Sequence, residues 1–207
     1  MSPGNDTQRA AMNTLLSRIS PSVTNMIRMD HAHVLSTFHQ YGAGASDGVK
    51  KGLVDQVCVA LEIHAQLEEE IFYPALRAAA DTDAVRKSVP EHDEMRRLIN
   101  QLRKLTPADA GYDDTFYQLM NNVLHHVADE ETLLLPAAER LLDDRLGELG
   151  ARMAKRRVQL AGPRTAEIAG SMARSLGSGA VVAGAGALLA CSYLISRPRV
   201  ARKTARP

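Results

Sequence analysis

The chain has 207 residues, 45% hydrophobic and 24% charged, with 3 Phe, 5 Tyr and no Trp. This mixture excludes wholesale disorder and collagen-like or low-complexity architecture, and so few aromatics favour a helical core of Leu, Val, Ile, Met and Ala over a β-sandwich. A formal net charge of +1 hides an asymmetry: residues 151–207 carry 11 Lys/Arg and one acid, Glu167, so an acidic body precedes a basic tail.

Residues 1–19 contain Pro3, Gly4, Asn5 and Asp6 and no apolar run, so they read as a flexible segment without a secretory signal. Two cysteines, Cys58 and Cys191, are too few for a disulfide framework or a Cys-based zinc site, which places the body in a reducing, cytoplasmic setting. Ser20 followed by Pro21 predicts a helix start, and the first helix runs to about Tyr41, where Gly42 and Gly44 end it. A second helix begins near Ser46 or Asp47 and carries Leu53, Val57, Leu61, Leu67 and Ile71 towards Ala80. A third, from about Thr82 to Leu105, carries Val85, Val89, Met95, Ile99 and Leu102 before Thr106-Pro107 breaks it. A fourth, from near Asp114 to about Asp144, bears Leu119, Val123, Val127, Leu133, Leu134, Ala137 and Leu141. No run alternates with period two and the loops are short, so residues 20–145 predict an all-α, up-down-up-down four-helix bundle.

The body repeats itself. His64, Glu68, Glu69, Pro74 and Ala75 match His126, Glu130, Glu131, Pro136 and Ala137 as H-x-x-x-E-E-x-x-x-x-P-A, and Asp30-His31 matches Glu91-His92. Helical spacing puts His64 and Glu68 in one stripe with Val57, Leu61, Ile71 and Ala75, and His126 and Glu130 in another with Leu119, Val123, Leu133 and Ala137. His31 is in register with Ile27, Val34, Leu35 and Phe38, and His92 with Val85, Val89, Met95 and Ile99. His33 and His125 fall on solvated faces. Glu69, Glu70 and Glu131 read as solvated or as outer partners of the imidazoles, and Asp30 and Glu91 either hold neighbouring imidazoles or decorate their helices. Tyr41, Tyr73 and Tyr117 read as bundle rim or core, and Pro74 and Pro136 predict a kink just after each His/Glu pair.

Two carboxylates buried without partners are costly, and a cation offsets that cost. His64 with Glu68, and His126 with Glu130, each ligate one ion from adjacent turns; His31 and His92 complete the set, which suits two ions bridged by carboxylates. Imidazole with carboxylate and no thiolate fits iron or manganese best, zinc less well, and not copper(I).

At these residues the chain resembles the hemerythrin-like, or HHE cation-binding, family. Asp30-His31, His64-x-x-x-Glu68-Glu69 with Phe72-Tyr73-Pro74, Glu91-His92, and His126-x-x-x-Glu130-Glu131 with Leu135-Pro136 carry the resemblance. It implies a non-haem, oxo- or hydroxo-bridged di-iron centre ligated by His31, His64, Glu68, His92, His126 and Glu130, which binds or reacts with oxygen, peroxide or nitric oxide in sensing, detoxification or iron handling. The chain departs from the family's oxygen carriers at Arg96, where they have a second histidine, and at Glu130, where they use an Asp at another spacing; both departures argue against reversible oxygen carriage. A second reading keeps the metal as a staple for an interaction bundle without redox chemistry.

The segment 146–175 reads as a basic linker and 176–195 as an apolar helix of 20 uncharged residues, the length of a membrane span. The reading is a membrane-inserted tail that anchors the body at the inner face, against a soluble Ala/Gly helix or partly disordered arm. Gly179, Ala183, Gly184 and Ala187 offer a small-residue surface for helix pairing and a homo-oligomer. Residues 196–207 are basic, but Tyr193 is the tail's one aromatic and no reading motif is present, so nucleic acid is not the expected partner.

Overall fold

A computed structural model of the chain describes residues 21–176 apart from 43, 81 and 82. The 1–19 segment, the Ser20 cap, the apolar stretch beyond Leu176 and the basic 196–207 lie outside the described residues. Among the described residues no helix is long and apolar enough to cross a membrane.

The first bundle helix, α1, is Val23–His39, and its cap is Ser22, whose hydroxyl accepts from Asn25 N–H. The second is one rod built from α2 (Asp47–Leu67), a π turn (Glu68–Phe72) and α3 (Tyr73–Ala79), with Ser46 as its cap. The third is α4 (Asp83–Leu102). The fourth repeats the second as α5 (Tyr112–Asp129), a π turn (Glu130–Leu134) and α6 (Leu135–Leu141).

The two π turns stand where proline kinks were expected. Proline has no N–H to return to the carbonyl four residues back, and widening the preceding turn by one residue accommodates its ring. In the second rod Tyr73 N–H donates to the Glu68 carbonyl, five residues back, and in the fourth Leu135 N–H donates to that of Glu130. The extra residue rotates the remainder of each rod. Leu133 and Leu141, expected inside, are 54% and 46% exposed, while Leu134, Leu135, Ala138 and Leu142 take the core positions. In the second rod the shift brings in Phe72, Tyr73 and Leu76 alongside Ile71 and Ala75.

The expected basic linker is instead helical. After a 3-10 turn at Asp143–Arg145, α7 (Leu146–Ala161) packs on α1 and α8 (Thr165–Ser175) packs on α2. Both crossings are too close for a side chain: a Cβ at Gly150 would lie 2.0 Å from the Pro21 carbonyl oxygen, and one at Gly52 2.5 Å from Ser175 N. Ion pairs join the basic segment to the acidic body, Arg156 to Glu70, Arg157 to Asp30, Arg164 to Glu62 and Arg174 to Asp55. The sequence's charge asymmetry is thus partly neutralised by folding back.

The core falls into two apolar clusters. One gathers Ile27, Ile63, Leu67, Phe72, Leu76, Leu135 and Met153; the other gathers Val34, Leu53, Val57, Met95, Ile99, Phe116 and Leu119. The inward histidines and glutamates form the layer between them.

Candidate metal centre

Each bundle helix contributes to that layer. His31, His64, Glu68, His92, His126 and Glu130 are all 4% exposed or less, as the helical spacing predicts. His33, His39 and His125 are exposed. One ligand atom from each of His31, His64, Glu68 and Glu130 lies within 4.8 Å of all the others, and the same holds for Glu68, His92 and His126. The two groups share Glu68.

Every inward imidazole is held from behind by a carboxylate. His31 Nδ1 pairs with Glu131 Oε1 at 2.9 Å, His64 Nδ1 with Asp30 Oδ2 at 3.4 Å, His92 Nδ1 with Glu69 Oε1 at 2.8 Å and His126 Nδ1 with Glu91 Oε2 at 3.0 Å. An ionised carboxylate only accepts, so each Nδ1 is the donor and each Nε2 faces inward, the arrangement that fixes tautomer and orientation in metal-binding histidines. The repeat is visible in space: Asp30 and Glu91 serve the histidine of their own hairpin, and Glu69 and Glu131 that of the other. Three of the four carboxylates are in turn gripped by arginine: Glu131 by Arg28, Glu69 by Arg96 and Asp30 by Arg157. Arg96, one turn after His92, thus holds the same Glu69 carboxylate that accepts from His92.

The inward atoms are badly satisfied by one another. His31 Nε2, His64 Nε2, Glu68 Oε1 and Glu130 Oε2 are buried without a hydrogen bond. His31 Nε2 and Glu130 Oε2 approach to 3.2 Å, but not in hydrogen-bonding alignment. His92 and His126 bring their Nε2 atoms within 3.2 Å, a contact that two lone pairs would make repulsive. Buried polar atoms left this way are costly, and a cation among them removes the cost, so the donor set fits a metal.

The electrostatics agree. Burial disfavours a charge on His126, yet Glu68 and Glu91 outweigh it and raise the imidazole to about 10. His31 and His92 are raised for the same reason, by Glu130 and Glu68 respectively, and the Glu68 carboxyl is held well below its usual range by His64, His126 and His92 despite burial. Positive charge is favoured here, whether a proton or a metal supplies it.

Tyr73, expected at the rim or core, reaches the centre itself. Its hydroxyl donates to Glu130 Oε1 at 2.8 Å, lies 3.1 Å from Glu68 Oε2 and 3.4 Å from His92 Nε2. Burial and the two carboxylates push its pKa well above the ordinary value. Its counterpart in the repeat is Leu135, so the two halves of the centre differ. Tyr41 instead hydrogen-bonds Asp113 at the far end of the bundle.

Comparison with known proteins decides the family: the hemerythrin HHE cation binding domain matches residues 22–138. The chain belongs to this family. An uncharacterised protein, Rv2633c of Mycobacterium tuberculosis, is 36% identical over 116 residues, covering 53% of this chain and 68% of that protein. A DNA nickase of Nostoc sp. is 28% identical over 141 residues, which cover 67% of this chain but only 40% of the nickase. In three dimensions the chain is similar to the crystal structure of a Mycobacterium kansasii HHE domain-containing protein, the homolog of Rv2633c, with a TM-score of 0.60 and 22% identity over 74% of this chain and 98% of that one. At that identity the likeness shows a shared fold.

Proposed function

We propose that this HHE protein holds two iron ions and uses them to bind or react with a small ligand, oxygen, peroxide or nitric oxide. The observation that carries the proposal is the pair of buried donor groups sharing Glu68, with four inward atoms that make no hydrogen bond. His31, His64, Glu68 and Glu130 would hold one ion, and His92, His126 and Glu68 the other, so Glu130 falls with His31 and His64 and not with His126, its expected partner from helical spacing. Nitrogen and carboxylate donors without thiolate suit iron or manganese, and the hemerythrin likeness supports iron, with manganese or zinc as the metals to exclude. Bound there, iron supplies an open coordination position and electron exchange with the ligand.

The residues around it orient and exclude. Asp30, Glu69, Glu91 and Glu131 fix the four imidazole rings, Tyr73 holds a proton at its hydroxyl and aligns both glutamates, and the two apolar clusters keep bulk water from the layer. With every donor residue 4% exposed or less, a ligand must pass between packed helices, which selects small molecules. DNA nicking is not part of this proposal, because Arg156 and Arg157 of α7, Arg164 of the turn that follows it and Arg174 of α8 are each paired with an acid of the bundle. Metal analysis and ultraviolet-visible spectra before and after peroxide or nitric oxide test the reading. About two irons per chain with ligand-dependent bands support it; zinc, or no metal and a featureless spectrum, overturns it in favour of a scaffold.

A further inference from the structure

Of the arginines behind the centre, Arg28 and Arg96 sit on bundle helices, whereas Arg157 comes from α7, outside the matched 22–138 region. Its Nη1 and Nη2 donate to Asp30 Oδ1 and Oδ2 at 2.5 and 2.6 Å, a two-point grip on a side chain that is only 15% exposed. Asp30 then accepts from His64 Nδ1 at 3.4 Å, a longer contact than any of the other three histidine-carboxylate pairs make. The guanidinium therefore holds Asp30 more tightly than His64 does, and so decides where the acceptor behind that imidazole stands. Planar two-point geometry is what Arg provides and Lys cannot.

We infer that Arg157 is a positioning residue of the metal centre, acting through Asp30 on His64, so that the helix following the HHE domain is part of the machinery that holds one of the two ions. The inference rests on the metal reading above. It separates Arg157 from its neighbour Arg156, which grips Glu70 on the exterior and reaches no imidazole partner. Both arginines dock α7, but only Arg157 is wired to a donor. A cavity of about 150 Å³ adjoins the Asp30–Arg157 pair, lined also by Val59, Ile63 and Met172, so an unbranched side chain at 157 fits without overpacking.

The test is timed metal release from the loaded full-length protein to an excess of chelator, with metal content per chain at each time. Arg157→Met is expected to release one of the two ions up to about tenfold faster than wild type, the low end of the effect of losing a ligand's direct partner because Arg157 acts one step behind Asp30, and to leave the other unchanged. Arg157→Lys, which preserves the charge and also serves if the Met variant folds poorly, is expected to lie between. Arg156→Met is expected to match wild type. Unchanged release from both Arg157 variants overturns the inference while leaving the metal reading intact; equal acceleration in Arg156→Met also overturns it, because helix docking alone then explains the effect. A wild-type chain that retains no metal overturns both.

Discussion

Glu68 offers a stoichiometric test, because it belongs to both donor groups while His31 belongs to one. Glu68→Gln keeps the volume and a partner for the Tyr73 hydroxyl but removes the charge that lies 3.2 Å from His64 Nε2 and 3.4 Å from His92 Nε2. Losing an outer partner already weakens metal binding 10- to 100-fold, so losing a shared inner donor costs each ion about 100-fold or more. The variant is expected to retain well under half an ion per chain after desalting against chelator, whereas His31→Ala retains about one and wild type about two. Without metal the substitution also removes the countercharge that helps hold the His126 imidazole at about 10. Breaking a buried pair costs about 3–5 kcal/mol, and at roughly 2–4 °C per kcal/mol for a chain of this size the metal-free midpoint falls by about 6–20 °C. Plasma mass spectrometry with thermal melts of stripped protein reads both effects. A Glu68→Gln protein that keeps two ions, or one that loses no more metal than His31→Ala, refutes the shared-donor geometry.

His33→Ala and His125→Ala, on exposed positions, are expected to retain full metal content by the same mass spectrometry. For pH, the sign comes from His126, whose imidazole is raised from 6.5 to about 10: its proton stabilises the metal-free fold fully below 6.5 and that contribution is lost as pH rises through about 10. A metal must displace this proton, so metal affinity rises across the same window while the urea midpoint of stripped protein falls; affinity that is flat with pH would contradict the protonated centre. Tyr73→Phe leaves two buried glutamates short of a donor and lowers metal-free stability by about 1–3 kcal/mol in urea titration, with no change expected if the hydroxyl lay outside the centre. Gly150→Ala, whose Cβ would stand 2.0 Å from the Pro21 carbonyl oxygen, forces α7 off α1 and costs about 1–3 kcal/mol in the same assay.

The six inward donors were legible because helical spacing of three and four, repeated in two hairpins, is a direct statement about faces. The repeat offered Asp30 and Glu91 either as holders of neighbouring imidazoles or as decoration, and the structure shows that Asp30 holds His64 and Glu91 holds His126. What escaped was the π turn. On a regular helix Tyr73 lies about 140° round from Glu68 and belongs to another face; the widened turn brings the fifth residue back over the first, and the Tyr73 hydroxyl with it. A proline six residues after an inward glutamate is the available signal, and it reads equally well as a kink. The same turn displaced Leu133 and Leu141 from the core. In α7 the spacing of Leu146, Leu149 and Met153 was readable as an apolar stripe, but the density of arginines suggested a basic linker, since nothing local reveals that Arg156 and Arg157 meet the acids Glu70 and Asp30.

The most direct test of the central claim is anomalous diffraction at the iron edge from crystals of the full chain purified from iron-replete cells. The account predicts two iron peaks per chain, one beside His31 and His64 and one beside His92 and His126, with Glu68 between them. A single peak, peaks away from these residues, or anomalous signal from zinc alone would contradict it.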